Sequence, residues 1–401
     1  ARGNATTYEY DALNRRTKTI YPDSSFTLTD YDALGRRASE TDQAGKTTRF
    51  GYDKLGRLIG VIDALSQLTS YGYDEVGNRT SQRDANLHET RFEYDQLGRE
   101  TARILPDGKR ETKTYDAAGN VQARTDFMGR PTTYGYDENN RLLSRTYPDS
   151  TQNVAFTYTP TGRRLTAADA RGTTAYDYDS RDRLSSLTYP DGRRLEYDYD
   201  GQGNRTSLTA IVGSLTLTTG YAYDALNRLE TVTDPQSRSC TYGYDPNGNR
   251  KSLSQPNGTQ TAYTYDLLNR LKTLATTHPA SGRIIQSYAF TLGPSGNRTA
   301  IAENDGTVRA YTYDGLYRLT GEKVTVNNLL QYEKTFGYDP VGNRQTQTTT
   351  GSGAPGTPTA PGTINYGYDT RDRLLTENAT NYGWDDNGNL VTKSGEASYT
   401  W

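Results

Sequence analysis

The sequence of 401 residues has little of the material that builds a thick hydrophobic core. Only 32% of its residues are hydrophobic even when tyrosine is counted, and it contains 7 phenylalanines, 2 tryptophans and 1 methionine. The apolar bulk is carried by 34 tyrosines, whose hydroxyl group gives each ring a polar tip. Such side chains suit surfaces that are half exposed to water, so the composition argues against large compact cores.

Several classes of site and partner are excluded by what is missing. A single cysteine, Cys240, excludes an internal disulfide framework and a cysteine-rich zinc site. The two histidines, His88 and His278, lie far apart in the sequence and show no metal-ligand spacing, so we predict no metal, no cofactor and no catalytic histidine. The net charge of −2 gives no basic excess for nucleic acid, and no apolar run approaches the roughly 20 residues of a membrane span.

What the sequence does have is an internal repeat in which Tyr-Asp recurs with a period of 21 residues. Ten of the seventeen intervals between successive units equal 21, and the exceptions cluster toward the C-terminus, which predicts loops of altered length around an unchanged unit. With the tyrosine as position zero, the eighteen units begin at Tyr10, Tyr31, Tyr52, Tyr73, Tyr94, Tyr115, Tyr136, Tyr158, Tyr178, Tyr199, Tyr223, Tyr244, Tyr265, Leu292, Tyr313, Tyr338, Tyr368 and Trp384.

Each unit combines a strand pattern with a turn pattern. An aromatic residue recurs two positions before position zero, and this period of two is typical of a strand with one aromatic face. Asp follows position zero except at Thr159 and Gly293, and the residue at plus four is Gly, Asn or Asp except at Tyr317. Glycine enters the left-handed region freely, and Asn and Asp tolerate it. The loop is therefore predicted as a type I turn closed by a left-handed residue with a bulge.

A second turn signal appears about half a period later. It contains proline in some units and is a looser stretch, such as residues 42–45, in others. The proline-containing turns are Pro22-Asp23-Ser24, Pro106-Asp107-Gly108, Pro148-Asp149-Ser150, Pro190-Asp191-Gly192 and Pro256-Asn257-Gly258. Two turns in 21 residues leave two strands of about six to eight residues and no room for helices.

Eighteen such units predict an all-β, antiparallel hairpin meander of about 36 strands. A flat open sheet of that width is not expected, so the meander should coil into a spiral wall with tyrosine rungs stacked between neighbouring strands. We expect residues 1–401 to form a single array, with the low-complexity stretch 351–362 as a loop inside one unit. Trp401 fits position zero of a further unit, and because arrays need caps, we expect a segment of a longer chain.

The units Tyr31–Arg37, Tyr52–Leu58, Tyr73–Arg79 and Tyr223–Leu229 resemble the YD repeats of the RHS (rearrangement hotspot) family, which includes bacterial polymorphic toxins, the B-C components of Tc insecticidal toxins and the teneurins. The resemblance covers essentially the whole chain. It implies a hollow β-shell, which in the bacterial toxins encloses a C-terminal toxic domain that is released after self-cleavage. The residues expected to specify the repeat structurally include Tyr31, Asp32, Gly35, Tyr52, Asp53, Gly56, Tyr73, Asp74, Gly77, Tyr94, Asp95, Gly98, Tyr244, Asp245 and Gly248.

No catalytic constellation stands out from the repeat. The aspartate after each position zero recurs with the turn, so it is interpreted as structural rather than as half of an acid–base pair. Asp245–Asn249 and Asp385–Asn389 faintly resemble calcium loops but lack the EF-hand spacing. The arginines after the turn are balanced by aspartates, which favours cross-unit ion pairs or stacking over phosphate recognition; examples are Arg36, Arg57, Arg99 and Arg228.

We therefore interpret the chain as a non-enzymatic shell segment of an RHS-type bacterial toxin, secreted or at the cell surface. Its expected partners are an enclosed toxin polypeptide or the rest of the parent chain, and a secretion or delivery component. The alternative is an adhesion or filament-forming module, because uncapped repeat ends could pair head to tail. A third interpretation, a carbohydrate-active enzyme, lacks a carboxylate pair that stands out from the repeat.

Overall fold

The computed structural model describes residues 3–351, 361–396 and 398–399. The loop predicted at 351–362 lies largely outside the described residues, as does Trp401. The strands, β1 to β36 in chain order, are Thr7–Tyr10, Arg16–Ile20, Phe26–Tyr31, Arg37–Thr41, Thr47–Tyr52, Leu58–Ile62, Leu68–Tyr73, Arg79–Arg83, Glu89–Tyr94, Glu100–Ile104, Arg110–Tyr115, Val121–Thr125, Pro131–Tyr136, Leu142–Thr146, Val154–Tyr158, Arg164–Asp169, Gly172–Tyr178, Leu184–Thr188, Arg194–Tyr199, Arg205–Val212, Leu215–Tyr223, Leu229–Thr233, Ser239–Tyr244, Arg250–Ser254, Gln260–Tyr265, Leu271–His278, Arg283–Leu292, Arg298–Glu303, Thr307–Tyr313, Leu319–Val326, Leu329–Tyr338, Arg344–Thr350, Gly362–Tyr368, Leu374–Glu377, Thr380–Trp384 and Leu390–Lys393.

The strands form one antiparallel meander in which each strand pairs with its neighbours in the chain. The predicted all-β meander of 36 strands is thus confirmed, and every odd-numbered strand ends at position zero of a unit. Many strands have five residues, fewer than predicted, because most hairpin connections take five residues. Two-residue connections at 170–171, 213–214 and 327–328 lie between strands of six to ten residues. In the unit of Tyr52, β5 has six residues and β6 has five, and the loops 53–57 and 63–67 complete the period.

Most of the five-residue turns share one geometry. In the loop after Tyr52, the N–H of Gly56 donates to the carbonyl of Asp53 at 3.1 Å, and Gly56 has φ of +83°. The pairing register shifts between Gly51 and Tyr52, which is the bulge that follows from the extra residue. The turn at 42–45 is as tight as the proline turns, since the N–H of Gly45 donates to the carbonyl of Asp42 at 3.0 Å.

One turn departs from this geometry by becoming helical. Ser150–Gln152 forms a single turn of 3₁₀-helix, and Asp149 caps it by accepting the N–H of Thr151 at 2.9 Å. It is the only helix among residues 3–351, 361–396 and 398–399, and none of those residues forms a helix long and apolar enough to cross a membrane.

The sheet is a thin wall with almost no apolar interior. Ala102 and Val324, with exposures of 1% and 5%, are the buried hydrophobic residues among those described. Most other buried side chains are polar, such as Thr261 and Thr276, whose hydroxyl groups hydrogen-bond to each other at 2.9 Å. Burial of apolar surface therefore stabilises this wall far less than it stabilises a globular domain, and repeated polar contacts contribute a larger share of its stability.

The wall coils on itself with a regular pitch. Six hydrogen bonds between side chains, or between a side chain and the backbone, join described residues that are 253 to 277 positions apart. With units of 21 residues, about a dozen units complete one circuit. We refer to residues 3–265 as the first lap and to residues 266–399 as the second lap, which lies along one rim of the first.

The left-handed turn position gives a direct test of the hairpin geometry. Replacing Gly56 with valine places a β-branched residue at φ of +83°, which is expected to cost about 1–2 kcal/mol in the free energy of local opening. Replacing it with asparagine should cost clearly less, because Asn140 and Asn227 occupy the same position with positive φ. Amide hydrogen exchange over residues 47–62 measures both. Equal destabilisation by the two variants would contradict the assigned geometry.

Candidate functional site: the repeated turn and the seam between laps

A single aspartate organises the turn after position zero in every unit except those with Thr159 and Gly293. In the unit of Tyr52, Oδ1 of Asp53 accepts the N–H groups of Leu55 and Arg57, both at 2.9 Å. Its Oδ2 accepts Nε of Arg57 at 2.7 Å. Both carboxylate oxygens are therefore used inside the turn, so this carboxylate has neither the freedom nor the partner that acid–base chemistry requires.

These donors alter the acidity of the turn carboxyls. The pKa of Asp53 is lowered from its ordinary value, chiefly because the backbone N–H of Arg57 donates to it, and this outweighs the desolvation that would raise the pKa. The side chain of Arg57 adds to the lowering. The pKa values of Asp11 and Asp95 are lowered with the same leading cause, from Arg15 and Arg99. The charged form of the turn aspartate is thus favoured by the fold.

The arginine that closes one turn also reaches the next unit. Nη1 of Arg57 donates to the carbonyl of Asp74 at 2.7 Å, and its Cζ lies 4.9 Å from the ring centroid of Tyr73. In return, Oη of Tyr73 donates to the carbonyl of Leu58 at 2.8 Å. Units that repeat this stacking of arginine on the next tyrosine include those of Arg15, Arg36, Arg99, Arg141, Arg183, Arg228 and Arg318.

Two sequence-based interpretations of these side chains are refined by the structure. The arginines do stack across units, but their ion pair is with the aspartate of their own unit. The prediction of rungs of stacked tyrosines was wrong, because the described residues contain only one ring–ring stack, that of Tyr288 on Phe290. Guanidinium groups lie over the rings instead, and those of Arg79 and Arg344 each lie over two rings. The cation provides attraction to each ring face that two electron-rich faces do not provide to each other.

The residues predicted to specify the repeat occupy equivalent places along one rim of the sheet. Each tyrosine donates to a backbone carbonyl 15 residues earlier; these tyrosines are Tyr31, Tyr52, Tyr73, Tyr94 and Tyr244. Each aspartate accepts the N–H four residues on; these aspartates are Asp32, Asp53, Asp74, Asp95 and Asp245. The glycines have φ between +75° and +100°; they are Gly35, Gly56, Gly77, Gly98 and Gly248. They lie one per unit and do not converge on one pocket.

A second set of contacts, which the sequence patterns do not predict, joins the two laps. Half-period turns of the first lap meet the position-zero turns of the second lap along a line that we call the seam. Nδ2 of Asn387 donates to Oδ2 of Asp126 at 2.7 Å. Nε of Arg371 donates to Oδ2 of Asp107 at 2.8 Å, and the side chain of Arg371 is only 8% exposed. Other contacts run in the opposite direction, since Nζ of Lys109 donates to Oδ2 of Asp386 at 2.8 Å. The seam is therefore built from polar side chains, with donors and carboxylates on both rims.

Tyr317 shows how one repeat position has been adapted to the seam. This residue was the exception at plus four, and it has φ of +62° where other units have Gly, Asn or Asp. Its hydroxyl donates to Oδ2 of Asp42 in the first lap and lies 2.5 Å from Oγ of Ser295. An aromatic residue in the left-handed region is unfavourable, so the contact across the seam offsets a local backbone cost.

A sequence signal for the seam exists in the half-period turns. Outside the seam, Arg193 and Arg238 close their turns by ion pairs with Asp191 and Asp234, each within 2.7 Å. Along the seam the corresponding closing residues include Lys46, which forms no ion pair with Asp42 among the described contacts. The second oxygen of that carboxylate then remains available to the other lap.

A hairpin meander whose laps join along a polar seam defines the wall of a β-shell. The sequence profile of the teneurin YD-shell family matches residues 3–201 and 192–332, and the chain belongs to this family of YD repeats. Both the family prediction and the fold prediction are thereby confirmed.

Solved structures with this fold come from toxin complexes. The chain is similar to the Tc holotoxin pore of Photorhabdus luminescens, with 17% identity and a TM-score of 0.80 over 99% of this chain and 24% of that one. It is similar to TcdB2-TccC3, with 18% identity and a TM-score of 0.70 over 99% of this chain and 25% of that one. The chain thus spans about a quarter of the length of these structures. No curated protein sequence matches the chain.

The turn carboxyls predict an acid-sensitive fold. Because their pKa values are lower in the folded chain than in the unfolded chain, the stabilisation is complete above the unfolded aspartate value of about 4 and is lost as pH falls through the lowered values. The thermal midpoint, followed by circular dichroism, should change little between about pH 7 and 5 and should fall below about pH 4. A midpoint that is independent of pH down to 3 would contradict this role of the aspartates.

The seam predicts communication between turns that are far apart in sequence. Tyr317→Phe removes the hydroxyl that Asp42 accepts and should destabilise the seam locally by about 1 kcal/mol. The expected result is faster hydrogen exchange at the amides of Gly45 and Lys46. Tyr313→Phe is the matched control, because its hydroxyl donates to the carbonyl of Arg298 within the second lap. If the two variants leave exchange at residues 42–46 equally unchanged, the seam contact does not form.

Proposed function

We propose that the chain is a wall segment of a shell that encloses a polypeptide, with a structural rather than a catalytic role. The observation that carries this proposal is the seam. Side chains of the second lap, such as Arg371 and Asn387, bond to the rim of the first lap and join the second lap to the first in a continuous surface. A continuous wall can hold a polypeptide by steric enclosure, whereas an open ribbon cannot.

The hydrogen bonds of the turn aspartates support the proposal of a structural rather than a catalytic role. Each turn aspartate of the type of Asp53 is saturated by donors from its own turn, and its pKa is lowered rather than raised toward neutrality. A general acid or base requires the opposite environment. The abundance of aspartate in this chain is therefore accounted for by turn formation.

The solved structures that resemble this chain support a toxic polypeptide as the proposed content of the shell. One of them is described as TcdB2-TccC3 without its hypervariable C-terminal region, and it resembles this chain with a TM-score of 0.68 and 18% identity. We infer that the present chain is likewise a single array within a longer bacterial protein, secreted or on the cell surface, whose shell encloses a toxic polypeptide. A secretion or delivery component would then carry the particle to its target.

A second candidate function is favoured by one specific observation. The rim of the first lap exposes an apolar side chain at plus three in successive units, with exposures of 72% to 84%: Leu13, Leu34, Leu55, Val76 and Leu97. The equivalent residues of the second lap, Leu268 and Leu316, are half-buried. Such a rim could pair with the rim of another chain, which is the arrangement that an adhesive or filamentous protein requires.

One experiment distinguishes the two candidates. Cryo-electron microscopy of the native parent particle, combined with mass spectrometry of its intact and denatured chains, should show a closed hollow shell and a separately released polypeptide. The enclosed polypeptide should resist protease until the shell is opened, because the wall excludes the protease. End-to-end polymers without additional mass would refute enclosure and favour the filament.

A further inference from the structure

Three side chains that could bind a metal ion meet across the seam. Asp84 and His88 belong to the turn between β8 and β9 in the first lap, and Asp372 belongs to the turn between β33 and β34 in the second lap. Nδ1 of His88 lies 3.7 Å from Oδ2 of Asp84 and 4.0 Å from Oδ1 of Asp372. One donor atom from each of the three residues lies within 4.8 Å of the other two.

The histidine departs from the pattern of its turn. Where Arg130 and Arg238 stand in other half-period turns, the guanidinium Nε bonds to the aspartate four residues earlier, at 3.0 and 2.7 Å. At His88 the ring nitrogen Nδ1 is buried and has no hydrogen-bond partner. Asp84 uses Oδ1 for the N–H groups of Asn86 and His88, both at 2.9 Å, and its Oδ2 faces the imidazole. A buried nitrogen without a hydrogen bond is costly, and a bound ligand would remove this cost. Nδ1 of His278 is also buried without a partner among the described residues, but only at His88 do two carboxylates face the nitrogen.

Two carboxylates from different laps face this nitrogen. Oδ2 of Asp84 lies 3.7 Å from it, and Oδ1 of Asp372, which accepts Nδ2 of Asn343 at 2.7 Å, lies 4.0 Å from it. The two negative charges therefore approach and repel each other across the seam. A bound cation would remove this repulsion and would use the lone pair of the imidazole nitrogen.

We propose that Asp84, His88 and Asp372 form a binding site for a divalent transition-metal ion, with zinc as the expected ion. Zinc accepts histidine nitrogen and carboxylate oxygen as ligands, whereas calcium and magnesium prefer oxygen alone. Because the ligands come from two laps, the ion would tie the second lap to the first. The bound ion would stabilise the seam, and the proposed metal site does not depend on what the shell contains.

The test is a titration of the purified, chelator-treated chain with zinc chloride, followed by isothermal calorimetry and by thermal unfolding. We expect one high-affinity zinc ion per chain and a higher thermal midpoint with zinc. His88→Gln and Asp372→Asn should each weaken zinc binding by at least about tenfold. Both replacements suit their turns, since Gln67 occupies the place of His88 after Asp63 and asparagine occupies the place of Asp372 in other units.

Two controls separate the site from general effects. His278→Gln removes the other histidine of the chain and should leave zinc binding unchanged. Asp372→Asn without zinc should be at least as stable as the unaltered chain, because it removes a repelling charge; its loss of zinc binding is then not a loss of folding. The proposal is overturned if zinc does not bind, if His88→Gln and Asp372→Asn bind it as tightly as the unaltered chain, or if calcium and magnesium stabilise the chain equally.

Discussion

The structure depends on one interaction, in which the aspartate that begins most turns accepts the N–H groups that the turn leaves unpaired. At Asp53 this carboxylate accepts two backbone N–H groups and the guanidinium of Arg57, so it sets the shape of the loop and orients the arginine at once. The oriented arginine then reaches Asp74 and Tyr73 of the next unit. In such a unit the carboxylate thus stabilises both the hairpin and the link between hairpins, whereas the turns at Thr159 and Gly293 form without it.

This linkage explains how a wall can persist without an apolar core. A stacked arginine at an exposed site contributes roughly 0.5–1 kcal/mol, and a hydrogen bond such as that of Tyr73 contributes a similar amount. Neither is large against the entropy of ordering a unit of 21 residues. The tyrosine hydrogen bond recurs at almost every junction, however, and the arginine stack recurs at eight of them. In a repeat array the stability is approximately the sum of such nearest-neighbour terms. The tyrosine-rich composition follows, because tyrosine provides a stacking face and a hydroxyl donor in one side chain.

The features that the sequence predicts are those set by neighbours within a unit or between adjacent units. The strands, their ends at position zero and the left-handed turn residues depend on contacts over fewer than 21 positions, and a local pattern encodes them. The partners of Asp42 and His88 lie more than 250 positions away, at Tyr317 and Asp372, and no local pattern specifies the number of units in a lap. The prediction of stacked tyrosines was wrong for a different reason. Sequence spacing identifies which residues share a face of the sheet, but it does not identify which side chains lie over their rings.

The two rims of the sheet differ in how their turn aspartates are used. After position zero, the closing Arg or Asn occupies the second oxygen of its own aspartate, as at Asp53 and Asp74. Along the seam, Asp42 and Asp107 are followed by lysines that leave this oxygen to Tyr317 and Arg371 of the other lap. Other pairs run in the opposite direction, since Lys109 of the first lap donates to Asp386 of the second. The register between the laps is therefore set by individual donor–acceptor pairs rather than by the 21-residue pattern.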